Sequence, residues 1–112
     1  PAKKQKVKQT ITTVGATSQT INGTLHTATV LTTKATIAQD LVTLINSGAQ
    51  NAVVIATQDT PGTDEYFYIE SLVGGLEFLY PYTNITELQM VPNSHAISNI
   101  TGGPILENTN IS

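Results

Sequence analysis

Two histidines, His26 and His95, invite a metal-binding reading, but neither has a second histidine or a carboxylate at a ligand spacing. Zinc sites need three or four donors that converge, and nothing near either residue supplies them, so both are read as polar surface residues. Asp59, Asp64 and Glu65 surround a Pro61-Gly62 turn and carry the charge calcium would need. Their spacing lacks the alternating ligands of a calcium loop, and a solvated turn is expected instead. Cysteine is absent, which removes thiolate nucleophiles, zinc-thiolate centres and disulfides together. Serine, histidine and aspartate all occur, but without a Gly-x-Ser-x-Gly elbow or similar context. No catalytic, cofactor-binding or metal-ligating residue is assigned, and the chain is expected not to be an enzyme.

What remains is surface chemistry. Lys3, Lys4, Lys6 and Lys8 are four of the five basic residues, so a basic N-terminal segment precedes an acidic body in a chain of net charge −3. Such a segment can reach an acidic neighbour in an assembly or the phosphates of packaged DNA, or fray into solvent. Arginine is missing altogether, and without its bidentate fork sequence-specific nucleic-acid recognition is not expected. All the aromatics fall in two stretches, Tyr66-Phe67-Tyr68 and Phe78 to Tyr82. If these pair as adjacent strands, Tyr66, Tyr68, Tyr80 and Tyr82 form a patch suited to a subunit interface or to stacking on a sugar; packing within the domain is the alternative. Ile97, Ile100, Ile105 and Leu106 lie in a C-terminal stretch rich in turn formers, where they gain burial only by docking on a neighbour. The Asn-x-Ser/Thr triplets at Asn22, Asn84, Asn99 and Asn110 are read as products of composition, because the chain shows no signal peptide.

These side chains need elements to hold them. Threonine fills 19 positions and favours pleated, half-solvated strands. Val7 to Val14 is a strand with Val7, Gln9 and Ile11 on one face. Gln19 to Ile21 and Thr24 to Leu31 flank Asn22-Gly23, the dipeptide of a type I′ hairpin. Thr36 with Gln39 reads as a capping box opening a helix whose Ile37, Leu41, Leu44 and Ile45 share a face and whose end is a left-handed Gly48. Asn51 to Thr57 reads as a strand buried on both faces. Beyond the Pro61-Gly62 turn come a strand at Tyr66 to Val73, a Gly74-Gly75 hairpin into Leu76 to Tyr80, and a last strand at Thr83 to Val91 containing a bulge.

The expected fold is α+β: a mainly antiparallel sheet with one amphipathic helix packed on one face, and extended terminal arms. Residues 1–6 are a basic arm, 7–91 a single domain and 92–112 an extended C-terminal arm. A chain of this length can bury roughly two-thirds of its unfolded surface around one core. The longest apolar runs are too short to span a bilayer, so no membrane partner is expected, and the absence of cysteine favours an intracellular or virion setting.

The order from Thr20-Ile21-Asn22-Gly23-Thr24 through Thr27-Ala28-Thr29-Val30 and the helix Thr36-Ile37-Ala38-Gln39 to Leu44-Ile45-Asn46, then Gly75-Leu76-Glu77-Phe78, resembles a small α+β module of tailed-bacteriophage structural proteins. The resemblance covers about residues 7–91; the aromatic strand and the long C-terminal arm depart from it. It implies a virion structural protein made in the host cytoplasm, foremost a capsid decoration or cement protein that self-associates and contacts a major capsid or tail protein. A tail or neck component is the alternative within that class. A carbohydrate-binding or adhesin domain using the tyrosine strands is the alternative outside it.

Overall fold

In the computed structural model, residues 4–74 and 77–91 are described. Strand β1 (Lys6–Ile11) alternates half-buried and buried positions, with Val7, Gln9 and Ile11 inward as the sequence alternation requires. Ser18–Ile21 and Thr24–Thr27 form β2 and β3, joined at Asn22-Gly23, whose φ values of 49° and 85° are those of a type I′ turn. Helix α1 (Lys34–Ser47) follows, then β4 (Val54–Thr57), β5 (Tyr66–Ser71), β6 (Tyr82–Thr83) and β7 (Ile85–Val91). The strands form two antiparallel sheets, one ordered β4-β5-β1-β7 and the other β3-β2-β6. Among the described residues the protein is therefore α+β, mainly sheet with one helix.

The core is one cluster. From α1, Ile37, Ala38, Leu41 and Ile45 meet Val7 and Ile11 of β1, Val54 and Ala56 of β4, and Phe67 and Ile69 of β5. Leu44, expected on the same face, is only half-buried at its margin. Ile21 brings the smaller sheet into the cluster, and Phe78 and Tyr80 fill it from the segment before β6.

Four local expectations are corrected. The N-cap is Thr33 rather than Thr36: the Thr33 hydroxyl accepts from the Thr36 amide at 3.1 Å, and the Thr36 hydroxyl accepts from the Thr33 amide at 2.9 Å. Thr36 thus fills the position usually given to glutamate or glutamine in a capping box, so the helix starts earlier and Gln39 is not needed. At the other end Gly48 is extended, with φ −93°, and not left-handed. Glycine is needed there for space, since a Cβ would stand 2.8 Å from the Leu44 carbonyl and 3.1 Å from His26 Nε2.

The apolar run ending in β4 lies on a sheet edge and not in the middle, with Ile55 41% exposed. The edge is closed by side chains and a turn. Asn46 of α1 donates to the Ala56 carbonyl and accepts from the Ala56 amide, each at 2.8 Å, and the Gln50 carbonyl takes the Val54 amide at 3.1 Å. Covering an edge in this way removes a template for unwanted strand pairing.

Finally, β5 pairs with β1 and β4 rather than with the stretch after Gly75. Gly75 and Leu76 lie outside the described residues, and Glu77 to Pro81 is irregular. That segment is tied down from both sides: the Asn22 amide donates to Leu79 O at 3.0 Å and the Thr20 amide to Pro81 O at 2.8 Å. Gln5 completes the anchoring, because its amide accepts from Phe78 N at 2.9 Å and donates to Phe78 O at 3.3 Å. A buried irregular backbone must find such partners, and here a side-chain amide acts as the missing strand.

Candidate functional site

Sequence alternation decides which side chains of β1 and β5 face away from the helix. They are Lys6, Lys8 and Thr10 on β1, and Tyr66, Tyr68 and Glu70 on β5. The antiparallel register sets Lys8 opposite Tyr68 and Lys6 opposite Glu70. Both lysines reach diagonally, so that Lys6 Nζ stands 4.7 Å from the centre of the Tyr68 ring and Lys8 Nζ 4.1 Å from that of Tyr66. Cations over aromatic faces are attracted by the ring quadrupole. The two rings meet edge to face at 5.6 Å, and both hydroxyls donate to Asp59 Oδ2, at 3.1 Å from Tyr66 and 3.2 Å from Tyr68.

Cation–ring contacts, ring packing and the shared Asp59 carboxylate tie the four side chains together. Partial desolvation first, then the hydrogen bond to Asp59, pushes the Tyr66 phenol up to about 12; Tyr68 is raised by desolvation and the same carboxylate. Both phenols stay protonated, and so remain donors, through ordinary pH. The array is flanked by Ile55 on β4 and Leu88 on β7, 41% and 44% exposed, so that Thr57, Tyr68, Lys8 and Leu88 form one row across the four strands. The face is aromatic and cationic at its centre and carries an exposed apolar side chain on each flanking strand.

Of the residues singled out from sequence, the structure gathers Lys6, Lys8, Tyr66 and Tyr68 on this face. Lys6, assigned to the N-terminal arm, is instead the first residue of β1, and Lys4 is exposed just before it. The single aromatic patch does not form. Tyr80 is fully buried and packs edge to face on Phe78 at 5.8 Å, while Tyr82 belongs to the other sheet and stacks on Tyr80 at 6.5 Å. Tyr80 is therefore a core residue and no interface candidate, because β5 pairs with β1 and leaves the second aromatic stretch to fold beneath the sheets. Lys3, Ile97, Ile100, Ile105, Leu106, His95 and the whole 92–112 arm lie outside the described residues.

His26 is likewise corrected from surface to interior. It is 6% exposed, its Nδ1 is 3.1 Å from the Gln19 carbonyl, and its ring abuts Gly48 at the end of α1. Asp59 and Asp64 act as local acceptors, Asp64 taking the Thr60 amide at 2.6 Å, and among the described residues no group of three or more His, Asp or Glu is arranged to hold a metal. A hollow of about 180 Å³ beside α1 is lined by Val30, Thr36, Gln39, Asp40 and Thr43. Its carboxylate is already engaged by the amides of Thr29 and Val30, at 2.6 and 3.0 Å, which fasten the loop to the helix. Among the described residues no helix is long and apolar enough to cross a membrane.

Sequence reasoning missed the amides. Gln5, Gln9, Gln19 and Gln58 are buried, and Asn84 sits at φ 65° with its side chain bonded to Thr13 and Thr17. Gln9 on the inward face of an alternating strand was the available signal. No family model matches the chain, and no curated protein matches it.

Proposed function

We propose that this is a non-enzymatic structural protein of a virion, a capsid decoration or cement protein of a tailed phage, that self-associates and docks on a larger assembly through the open face of its four-stranded sheet. The observation that carries the reading is the ordered Lys/Tyr array of Lys6, Lys8, Tyr66 and Tyr68 between the exposed Ile55 and Leu88. Tyrosine offers large contact area at low conformational cost, and interfaces favour it with apolar neighbours and a polar rim. The resemblance of the element order to phage structural modules supports the setting. A tail or neck component would use the same face in the same way.

The test is the mass of the full chain in solution, by sedimentation, together with its retention on purified particles. Tyr68→Ala and Leu88→Glu are expected to reduce association while the thermal melt stays cooperative. Association unchanged in both variants would remove this face from the function. The two half-buried tyrosines on this face also favour a second reading, a carbohydrate-binding domain. A glycan that binds wild type and loses binding with Tyr66→Ala, in a chain that stays monomeric, would establish that reading instead.

A further inference from the structure

Between the two sheets lies a set of buried polar side chains whose donors and acceptors do not balance with every carboxylate ionised. Gln19 Nε2 donates to the carbonyls of Thr20, Tyr80 and Pro81 at 3.0, 3.0 and 3.2 Å. Those three acceptors determine which end of the Gln19 amide is nitrogen, so Gln19 Oε1 must be an acceptor. It receives Gln9 Nε2 at 2.6 Å, which in turn determines the orientation of Gln9. Reversing Gln9 would set two oxygens against each other, and reversing both would aim an oxygen at three carbonyls.

Gln9 Oε1 is consequently a fixed acceptor, buried and without a partner. Opposite it in the β1·β7 register stands Glu87. The Thr12 amide bonds Asn84 O just beyond Ile11↔Ile85, so Gln9 and Glu87 form the closely spaced, non-hydrogen-bonded type of pair, with Cα atoms roughly 4.5 Å apart and side chains adjacent. Glu87 Oε2 accepts from the Tyr80 hydroxyl at 3.1 Å, whereas Glu87 Oε1 is buried with no partner. Two buried acceptors on neighbouring side chains, each lacking a donor, lack one proton between them.

We propose that Glu87 carries a proton on Oε1 in the folded chain and donates it to Gln9 Oε1. The bond closes a ring running from the Tyr80 carbonyl through Gln19, Gln9 and Glu87 to the Tyr80 hydroxyl, which joins β1 and β7 of one sheet to β2 of the other. Loss of the proton opens the ring and leaves a buried charge at the junction.

The surroundings agree. Burial raises the Glu87 carboxyl above its ordinary value, opposed by the Tyr80 hydroxyl, which favours the ionised form. Among the described residues the titratable groups facing it are Tyr80 from the segment before β6 and Tyr82 from β6, both raised first by burial and then by its charge; from β1 it meets the uncharged Gln9, while Lys6 and Lys8 project from the other face. Glu77, also buried at one oxygen, is raised by burial alone. Among the described residues no cation faces Glu87 to favour its charge. Because its folded value lies above the unfolded one, the native state binds more protons. The stability from Glu87 is fully present below the unfolded value of about 4.3 and is lost as pH rises through the folded value.

Carbon-detected titration of the side-chain carboxyls in the full chain tests this directly. The Glu87 midpoint is expected above the ordinary glutamate value of about 4.3, and Tyr80→Phe should raise it further. Glu87→Gln imitates the protonated acid, with Nε2 for Gln9 and Oε1 for Tyr80. Its melting temperature should exceed that of wild type at pH 8, and the difference should shrink as pH falls toward 4. A Glu87 midpoint no higher than the ordinary glutamate value of about 4.3 would overturn the proposal, since a water would then supply the missing donor. The titration on wild type decides the matter even if the variant does not fold.

Discussion

The two faces of the four-stranded sheet are built from alternate residues of the same strands, and they end in opposite states. The inner face of β1 and β5 offers Val7, Ile11, Phe67 and Ile69, all nearly or fully buried under α1, together with Gln9 and Ser71, whose polar atoms are mostly consumed inside the protein. The outer face, one residue out of phase, offers Lys6, Lys8, Tyr66 and Tyr68, which are half-buried and hold one another in place. A one-residue slip would exchange the two sets, so register here is the partition between stability and surface function. The inner face should therefore be sensitive to volume and the outer face to charge and salt.

The sharpest way to break that comparison is Leu41→Ala. Leu41 is fully buried where α1 meets the sheet, and a cavity there should cost about 2–5 kcal/mol in thermal or urea unfolding. Gln39→Ala, on the exposed side of the same helix, should change little. Equal small losses would mean that the helix does not seal the inner face.

Asn46→Ala should rank next, at about 1–3 kcal/mol, because it strips both partners from the outward backbone of Ala56. Faster amide exchange at Ala56 would locate the loss on the β4 edge. Thr33→Ala should cost about 1 kcal/mol in unfolding, as loss of an N-cap does. If Thr33→Ala proved silent, the helix would not begin at Lys34.

The smallest expected effect is on the outer face. Lys8→Gln removes one cation–π contact, so less than about 1 kcal/mol of stability should be lost at this partly exposed site. Its effect on association should be larger at low salt than at high salt, because exposed charges are screened beyond about 8 Å at physiological ionic strength. Salt-independent association in both proteins would sever the lysines from the proposed function.

Local rules made much of this molecule legible. Alternation in Lys6 to Ile11 and in Tyr66 to Ser71 assigned both faces, because a strand has period two and no neighbour can change it. Asn22-Gly23 announced the hairpin, since few residues tolerate positive φ, and Pro61-Gly62 announced its turn, with Gly62 at φ 79°. The helix and its buried stripe followed from 3.6-residue spacing. Half of the candidate surface was visible too, in the tyrosines and lysines, though not that they would meet.

Pairing was settled only in three dimensions. Whether β5 joined the stretch after Gly75 or β1 depended on long-range competition for the same backbone groups, and β1 won by offering a full register beside the core. That choice buried Tyr80, moved the Val54–Thr57 strand to an edge and put Lys8 over Tyr66. The buried amides followed from it, because glutamine and asparagine carry no periodic signature: their places are decided by which backbone groups the assembled sheets leave without partners. The sequence by itself determined which side chains share a face of each strand. Tertiary structure decided which strands are neighbours, and so whether a polar group meets water, a ring or another amide.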